Sequence, residues 1–218
     1  MDGLNKKFMS DPVTFIRNRM IKHDSGIYCP HNTTYEFDFH EKAPYVVLQR
    51  FEYRPSKTPN RYSKRIPAVW LKWKENHSFT VTLDGPEKYF FTATLSGCRL
   101  RISGDSKTPI VSHIAYGPTA GTKPAAARMF REKQTAKLEK QELAAGQDKT
   151  LVRTLSSTAF EKAALDQGAD IKHINVFGLK NATGDWEFFC QSVAYDKHTQ
   201  SDYIHRVWEL YRGEEELN

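Results

Sequence analysis

Residues 68–116 read AVWLKWKENHSFTVTLDGPEKYFFTATLSGCRLRISGDSKTPIVSHIAY. Five short runs, 68–74, 78–83, 88–95, 98–103 and 110–116, are rich in β-branched and aromatic residues, and turn-forming residues separate them. Asp84-Gly85-Pro86 is one such turn, and Gly104-Asp105-Ser106 opens another. Five strands in close succession, with no helix-length segment between them, exclude a regular βαβ arrangement.

On the N-terminal side, Ser10-Asp11-Pro12 has the form of a helix start, and Val13, Ile16 and Met20 recur at helical spacing, which predicts a helix ending near Ser25-Gly26. The period then becomes two: Tyr35, Phe37 and Phe39 alternate with polar residues, as does 45–53. The proline-bearing segment 55–67 reads as a loop. On the C-terminal side, 117–121 breaks the pattern. The Ala/Glu/Lys/Gln-rich stretch 124–145 predicts a surface helix, because large apolar residues in it are scattered. Thr158-Ala159-Phe160-Glu161 fits a capping box, with Gly168 as the stop, so 158–167 is a predicted helix. Strand character returns at 173–179, 186–195 and 203–211. Many strands with few helices predict an α+β domain over 1–218, two packed mixed or antiparallel sheets forming a sandwich with surrounding helices.

A chain of 218 residues with 39% hydrophobic content can bury a substantial core. No apolar run approaches the roughly 20 residues of a membrane-spanning helix, and no apolar signal segment follows Met1. The three cysteines, Cys29, Cys98 and Cys190, are an odd number at wide spacings, which argues against a disulfide framework and leaves one available for reactivity. Net charge is +6, and Arg54–Lys74 carries seven basic and no acidic residues. That patch reads first as a solvated loop and strand edge, and second as a dock for an acidic protein or nucleic acid.

The chemistry-bearing stretch is Thr92-Ala93-Thr94-Leu95-Ser96-Gly97-Cys98, followed by His113-Ile114. A strand, a small-residue bend and a cysteine in that order predict an exposed thiol. If the hairpin closes symmetrically, 102 pairs with 109, 100 with 111, and Cys98 faces His113. An imidazole there takes the thiol proton and holds a thiolate–imidazolium pair suited to acyl chemistry. Backbone N–H groups at Ser96 and Gly97 are placed to stabilise the oxyanion of carboxamide attack.

The motif Leu95-Ser96-Gly97-Cys98, with Thr92 six residues before the cysteine and a histidine on the next strand, resembles the glutamine deamidase toxin superfamily. That group includes the cytotoxic necrotizing factor catalytic domain, the chemotaxis receptor deamidase and the Burkholderia lethal factor. The order of 69–74, 91–100 and His113-Ile114 is most similar to the lethal factor, and the match covers about fifty residues, 69–117. The resemblance implies Cys98 as nucleophile, His113 as base, and Thr92 orienting the imidazole through its carbonyl or side chain. It further implies a two-sheet sandwich, no cofactor, and hydrolysis of a glutamine side chain to glutamate and ammonia in a folded target protein. A secreted or injected bacterial effector, monomeric and acting in the target-cell cytoplasm, is the corresponding expectation. The loop 104–109 is longer than in the lethal factor and closer to that of the necrotizing factor, so the lethal factor's substrate is not transferred.

Two other functions fit the residues. A transglutaminase would use the same acyl-enzyme with an amine as acceptor, and a non-catalytic basic module would use 54–74 and the 124–145 helix. Cys29, His31 and His40 lack the paired spacing of a zinc site. Cys190, in an apolar strand, reads as a core residue, and His173, His198 and His205 as strand or loop residues. Trp70 and Trp73 have opposite parity, placing one in the core and one toward the surface.

Overall fold

The computed structural model describes residues 3–24, 29, 31–51, 65–75, 77–95, 98–115 and 153–210, with scattered positions between 129 and 140. Two helices, α1 (Gly3–Ser10) and α2 (Pro12–Asn18), precede eight strands. These are β1 (Ile21–His23), β2 (Thr33–Lys42), β3 (Tyr45–Arg50), β4 (Ile66–Leu71), β5 (Ser78–Thr82), β6 (Tyr89–Thr92), β7 (Arg99–Ser103) and β8 (Ile110–Ile114). Then follow β9 (Arg153–Ser156), α3 (Ser157–Asp166), β10 (Asp170–Lys180), β11 (Trp186–Asp196) and β12 (Ser201–Glu209).

The strands form two sheets, as the α+β reading anticipates. The larger is mixed, in the order β1-β3-β2-β4-β6-β10-β11-β12, and the smaller is β5-β8-β7-β9. Side-chain alternation explains how the larger sheet serves two cores. Val69, Leu71, Phe90, Ile174, Val176 and Phe188 point toward the small sheet, meeting Leu100, Ile102 and Val111, with Phe160 and Ala164 of α3. Ile66, Ala68, Trp70, Phe91, Phe177 and Phe189, one residue out of phase, point the other way into an aromatic core completed by Phe8 of α1 and Phe15 and Ile16 of α2. Gly178 sits where β10 crosses Phe90 and Phe188; a Cβ there would lie 2.8 Å from Phe90 Cβ. That approach admits no side chain.

The larger sheet is curled. β1 and β10 are five inter-strand steps apart, roughly 24 Å in a flat sheet at about 4.8 Å per step. Yet Asn175 Nδ2 of β10 donates to the Ile21 carbonyl of β1 at 2.6 Å. Likewise Tyr45 of β3 donates its hydroxyl proton to Asp202 of β12. The sheet therefore wraps round until its two ends meet across a seam, with the aromatic core inside.

Several local expectations are corrected. α2 ends at Asn18 instead of near Ser25-Gly26, because Arg19 turns to extended backbone and β1 pairs parallel with β3. α1 and β9 had no periodic signal of their own. The N-cap of α3 is Ser156, whose hydroxyl accepts from Ala159 N at 3.4 Å, two residues ahead of the capping box at Thr158. The described positions of the 124–145 stretch are helical, and Met129, Lys133 and Lys140 among them are exposed. Trp70 is 4% and Trp73 47% exposed, as their parity requires. Among the described residues no helix is long and apolar enough to cross a membrane.

Candidate functional site

β8 carries His113 between two neighbours, Leu100 on β7 and Phe79 on β5. Leu100 and Ile102 face the inter-sheet core, and Cys98 belongs to the same core cluster. His113 is cross-strand to Leu100 and so shares that face. The observed pairing of Ser103 with Ile110 and Leu100 with His113 displaces the symmetric register by one residue on each strand, so Cys98 does not stand directly opposite His113. Side-chain parity is unchanged by this shift. Cys98, two residues before Leu100, takes the diagonal position, for which typical separations are roughly 7–8 Å.

The loop chemistry explains the shift. Gly104 adopts φ +87°, and the Asp105 carboxylate accepts from Lys107 N at 2.8 Å and Thr108 N at 2.9 Å. The Thr108 hydroxyl, which donates to the same carboxylate at 2.7 Å, and these amides hold the Asp105 carboxyl below its ordinary pKa. Pro109, with no N–H to donate to the ladder, falls in the loop. Ser106 joins the loop to β11 by accepting from Trp186 N at 2.8 Å.

Thr92 comes from the other sheet. Its hydroxyl donates to the Leu71 carbonyl at 3.0 Å and lies 2.9 Å from His113 Nδ1. A hydroxyl has one proton, so His113 Nδ1 must be the donor to Thr92, and the lone pair of the neutral ring is on Nε2. This hydrogen bond spans the sandwich and fixes the tautomer. His113 Nε2 is buried without a hydrogen-bond partner among the described residues. Burial also pushes the His113 pKa down to about 3. The resting imidazole is therefore neutral, a correction to the expected imidazolium of a thiolate–imidazolium pair.

Cys98 is 2% exposed. The expectation of an exposed thiol is corrected: alternation turns positions 98, 100 and 102 toward the larger sheet, and Cys98 packs in the same core cluster as Leu95 and Leu100. Ser96 and Gly97, the expected oxyanion donors, lie outside the described residues, as does most of the basic patch 54–74. All three cysteines are thiols. Cys190 is fully buried, and burial raises its pKa well above the ordinary thiol value, which fits a core residue. His31 and His198 are exposed, and His40 and His205 half-buried. No group of three or more His, Cys, Asp or Glu side chains among the described residues is placed to hold a metal ion.

A second buried histidine escaped the sequence reading. His23 Nδ1 lies 3.4 Å from the Thr94 hydroxyl, which itself donates to Asn175 Oδ1 at 3.1 Å. Its Nε2 is again buried and unpartnered, and burial pushes its pKa down to about 3. The available signal was the polar Asn175 and Gln191 interrupting apolar strands, since buried polar side chains mark hydrogen-bonded networks.

No family profile matches the chain, and no curated protein matches it in sequence. Among solved structures, the C-terminal domain of CNFy from Yersinia pseudotuberculosis is similar in overall architecture, with a TM-score of 0.43 and 6% identity over 95% of this chain and 97% of that one. At that score and identity the similarity assigns no residue a role.

Proposed function

We propose that the chain is a cysteine-dependent protein glutamine deamidase, with Cys98 as nucleophile, His113 as general base and acid, and Thr92 as the residue that positions the imidazole. The observation that carries this reading is the fixed ring: Nδ1 is committed to Thr92 at 2.9 Å, and the basic Nε2 has no other partner among the described residues. His23 shares the unpartnered Nε2; of the two, His113 is the one with Cys98 diagonal to it across the hairpin.

In the reaction, Nε2 takes the Cys98 proton as sulfur attacks the carboxamide carbon of a glutamine. The C=O bond becomes a C–O⁻ bond, for which Ser96 and Gly97 N–H groups are the proposed donors. The imidazolium then gives its proton to the amide nitrogen, the C–N bond breaks and ammonia leaves a thioester. Nε2 next deprotonates water, whose oxygen attacks the thioester carbon; the thiol is regenerated and glutamate remains. Throughout, Thr92 keeps Nδ1 protonated. Because Cys98 and His113 are buried, engagement of the target protein has to open the inter-sheet edge around them. Low exposure keeps a general base from reacting until that contact is made. The corresponding biological role is a bacterial effector modifying a host protein.

The test exposes candidate target-cell proteins to wild type and Cys98→Ser and measures ammonia release together with glutamine-to-glutamate conversion by mass spectrometry. Conversion is expected with wild type only. Equal conversion by the variant would remove Cys98 from the mechanism, and incorporation of a labelled primary amine in place of hydrolysis would assign transglutamination.

A further inference from the structure

Besides the Tyr45–Asp202 hydrogen bond, the described side-chain contacts across the seam of the curled sheet converge on one short segment. The Ile21 carbonyl of β1 accepts from Asn175 Nδ2 at 2.6 Å and from His173 Nε2 at 3.2 Å. Gln191 Oε1 accepts from Ile21 N at 2.8 Å, and Gln191 Nε2 donates to the Arg19 carbonyl at 2.7 Å. β1 itself has three residues and pairs with β3 along one edge. Side chains of β10 and β11 therefore do the work that a neighbouring strand does elsewhere.

Ile21 and His23 are the inward-facing residues of this segment, and His23 is the titratable one. It lies edge-on to Trp70 at 5.8 Å and to Phe177 at 6.5 Å between ring centroids. A proton added to Nε2 would place a charge among aromatic rings with no described acceptor. The ionisable group acting on His23 is His173, whose charge opposes its own. His173 in turn faces Lys22 of β1 and Asp202 of β12, which pull in opposite directions, and packs at 6.1 Å against the Tyr45 ring of β3. Burial, with Lys22, outweighs the hydrogen bond to the Ile21 carbonyl and the Asp202 carboxylate, so His173 is also held below its ordinary pKa. Just past β1, Asp24 accepts from Gln49 Nε2 at 2.7 Å.

We propose that this seam is an acid-labile latch: protonation at His23 and His173 releases the α2–β1 segment from β10 and β11 and opens the concave aromatic core, while the two sheets stay folded. The open segment accepts protons that the closed one refuses. Opening is therefore favoured as pH falls below the ordinary histidine value, by about 30-fold between pH 7.5 and pH 5 for one fully excluded histidine. This does not depend on the deamidase reading, since none of the seam residues belongs to the Cys98–His113–Thr92 group.

Hydrogen exchange of the full chain, read by mass spectrometry at pH 7.5 and 5 and corrected for intrinsic exchange, tests it. Residues 16–24 are expected to open about 30-fold or more at the lower pH and to exchange ahead of 99–114 and 186–196. In His23→Gln that acid response at 16–24 is expected to fall by at least about 10-fold while the response at 99–114 stays as in wild type. An unchanged acid response at 16–24 in the variant, or simultaneous loss of protection in all three segments of wild type, overturns the proposal. If His23→Gln does not fold, His173→Gln, at a partly exposed position, takes its place: a reduced acid response at 16–24 supports the latch, and an unchanged one overturns it.

Discussion

The Thr92 hydroxyl, on one sheet, lies 2.9 Å from His113 Nδ1, on the other. With its proton given to the Leu71 carbonyl, that hydroxyl acts as acceptor, and the histidine is left with a single free lone pair. The hydrogen bond thereby ties the orientation of the proposed base to the packing of the whole sandwich.

Thr92→Val preserves shape and removes both hydrogen bonds. We expect conversion of the target glutamine to slow by about 100-fold, as when a catalytic group is misplaced by a small distance. The protein should also lose about 1–3 kcal/mol of stability, because the Leu71 carbonyl and the Nδ1–H become buried and unpaired. Thr92→Ser should recover most of the rate. Nitrogen NMR of His113 supplies the readout that a packing defect alone would not move: a single tautomer in wild type and Thr92→Ser, a mixture in Thr92→Val.

Cys98 and Cys190 belong to the same core cluster and are expected to part company on substitution. Cys98→Ala should abolish ammonia release with little change in fold. Cys190→Ala should retain turnover while costing about 1–2 kcal/mol, the loss of a small buried apolar group. Full activity in Cys98→Ala, measured beside circular dichroism, would reverse the assignment.

Acid should destabilise the chain through its buried histidines. His113 has a folded pKa of about 3 and an unfolded value near 6.5, so the unfolded state binds the extra proton between those limits. Stability is then at its full value above about pH 6.5 and declines as pH falls toward 3, by up to about 1.4 kcal/mol per pH unit for this residue. In urea titrations at pH 7 and 5, His113→Gln should shrink the difference between the two midpoints. An identical difference in the variant would mean that another group sets the acid response.

Gly178→Ala tests the crossing of β10 over the inter-sheet core. The added carbon would sit 2.8 Å from Phe90 Cβ and 3.1 Å from Phe188 Cε1, neither of which can swing away. We expect a loss of about 1–3 kcal/mol by thermal unfolding, the usual cost of overpacking. Gly184→Ala is the contrast, because its cost comes from a φ of +88° and not from crowding.

The strands at 68–116, the two-sheet class, the opposite fates of Trp70 and Trp73, and the candidate trio Cys98, His113 and Thr92 could be read from the chain alone. Period-two alternation and turn residues are local signals, and a residue's parity along a strand survives small errors of register. Tertiary structure decided the rest. The hairpin pairing depended on which amides the Asp105 carboxylate captured, and the neutral state of His113 on the other sheet lying over it. The curl that brings Ile21 to Asn175, and with it the buried His23, arises from contacts between residues more than 150 positions apart. No local pattern carries such contacts, because they exist only once the whole sheet has closed around its core.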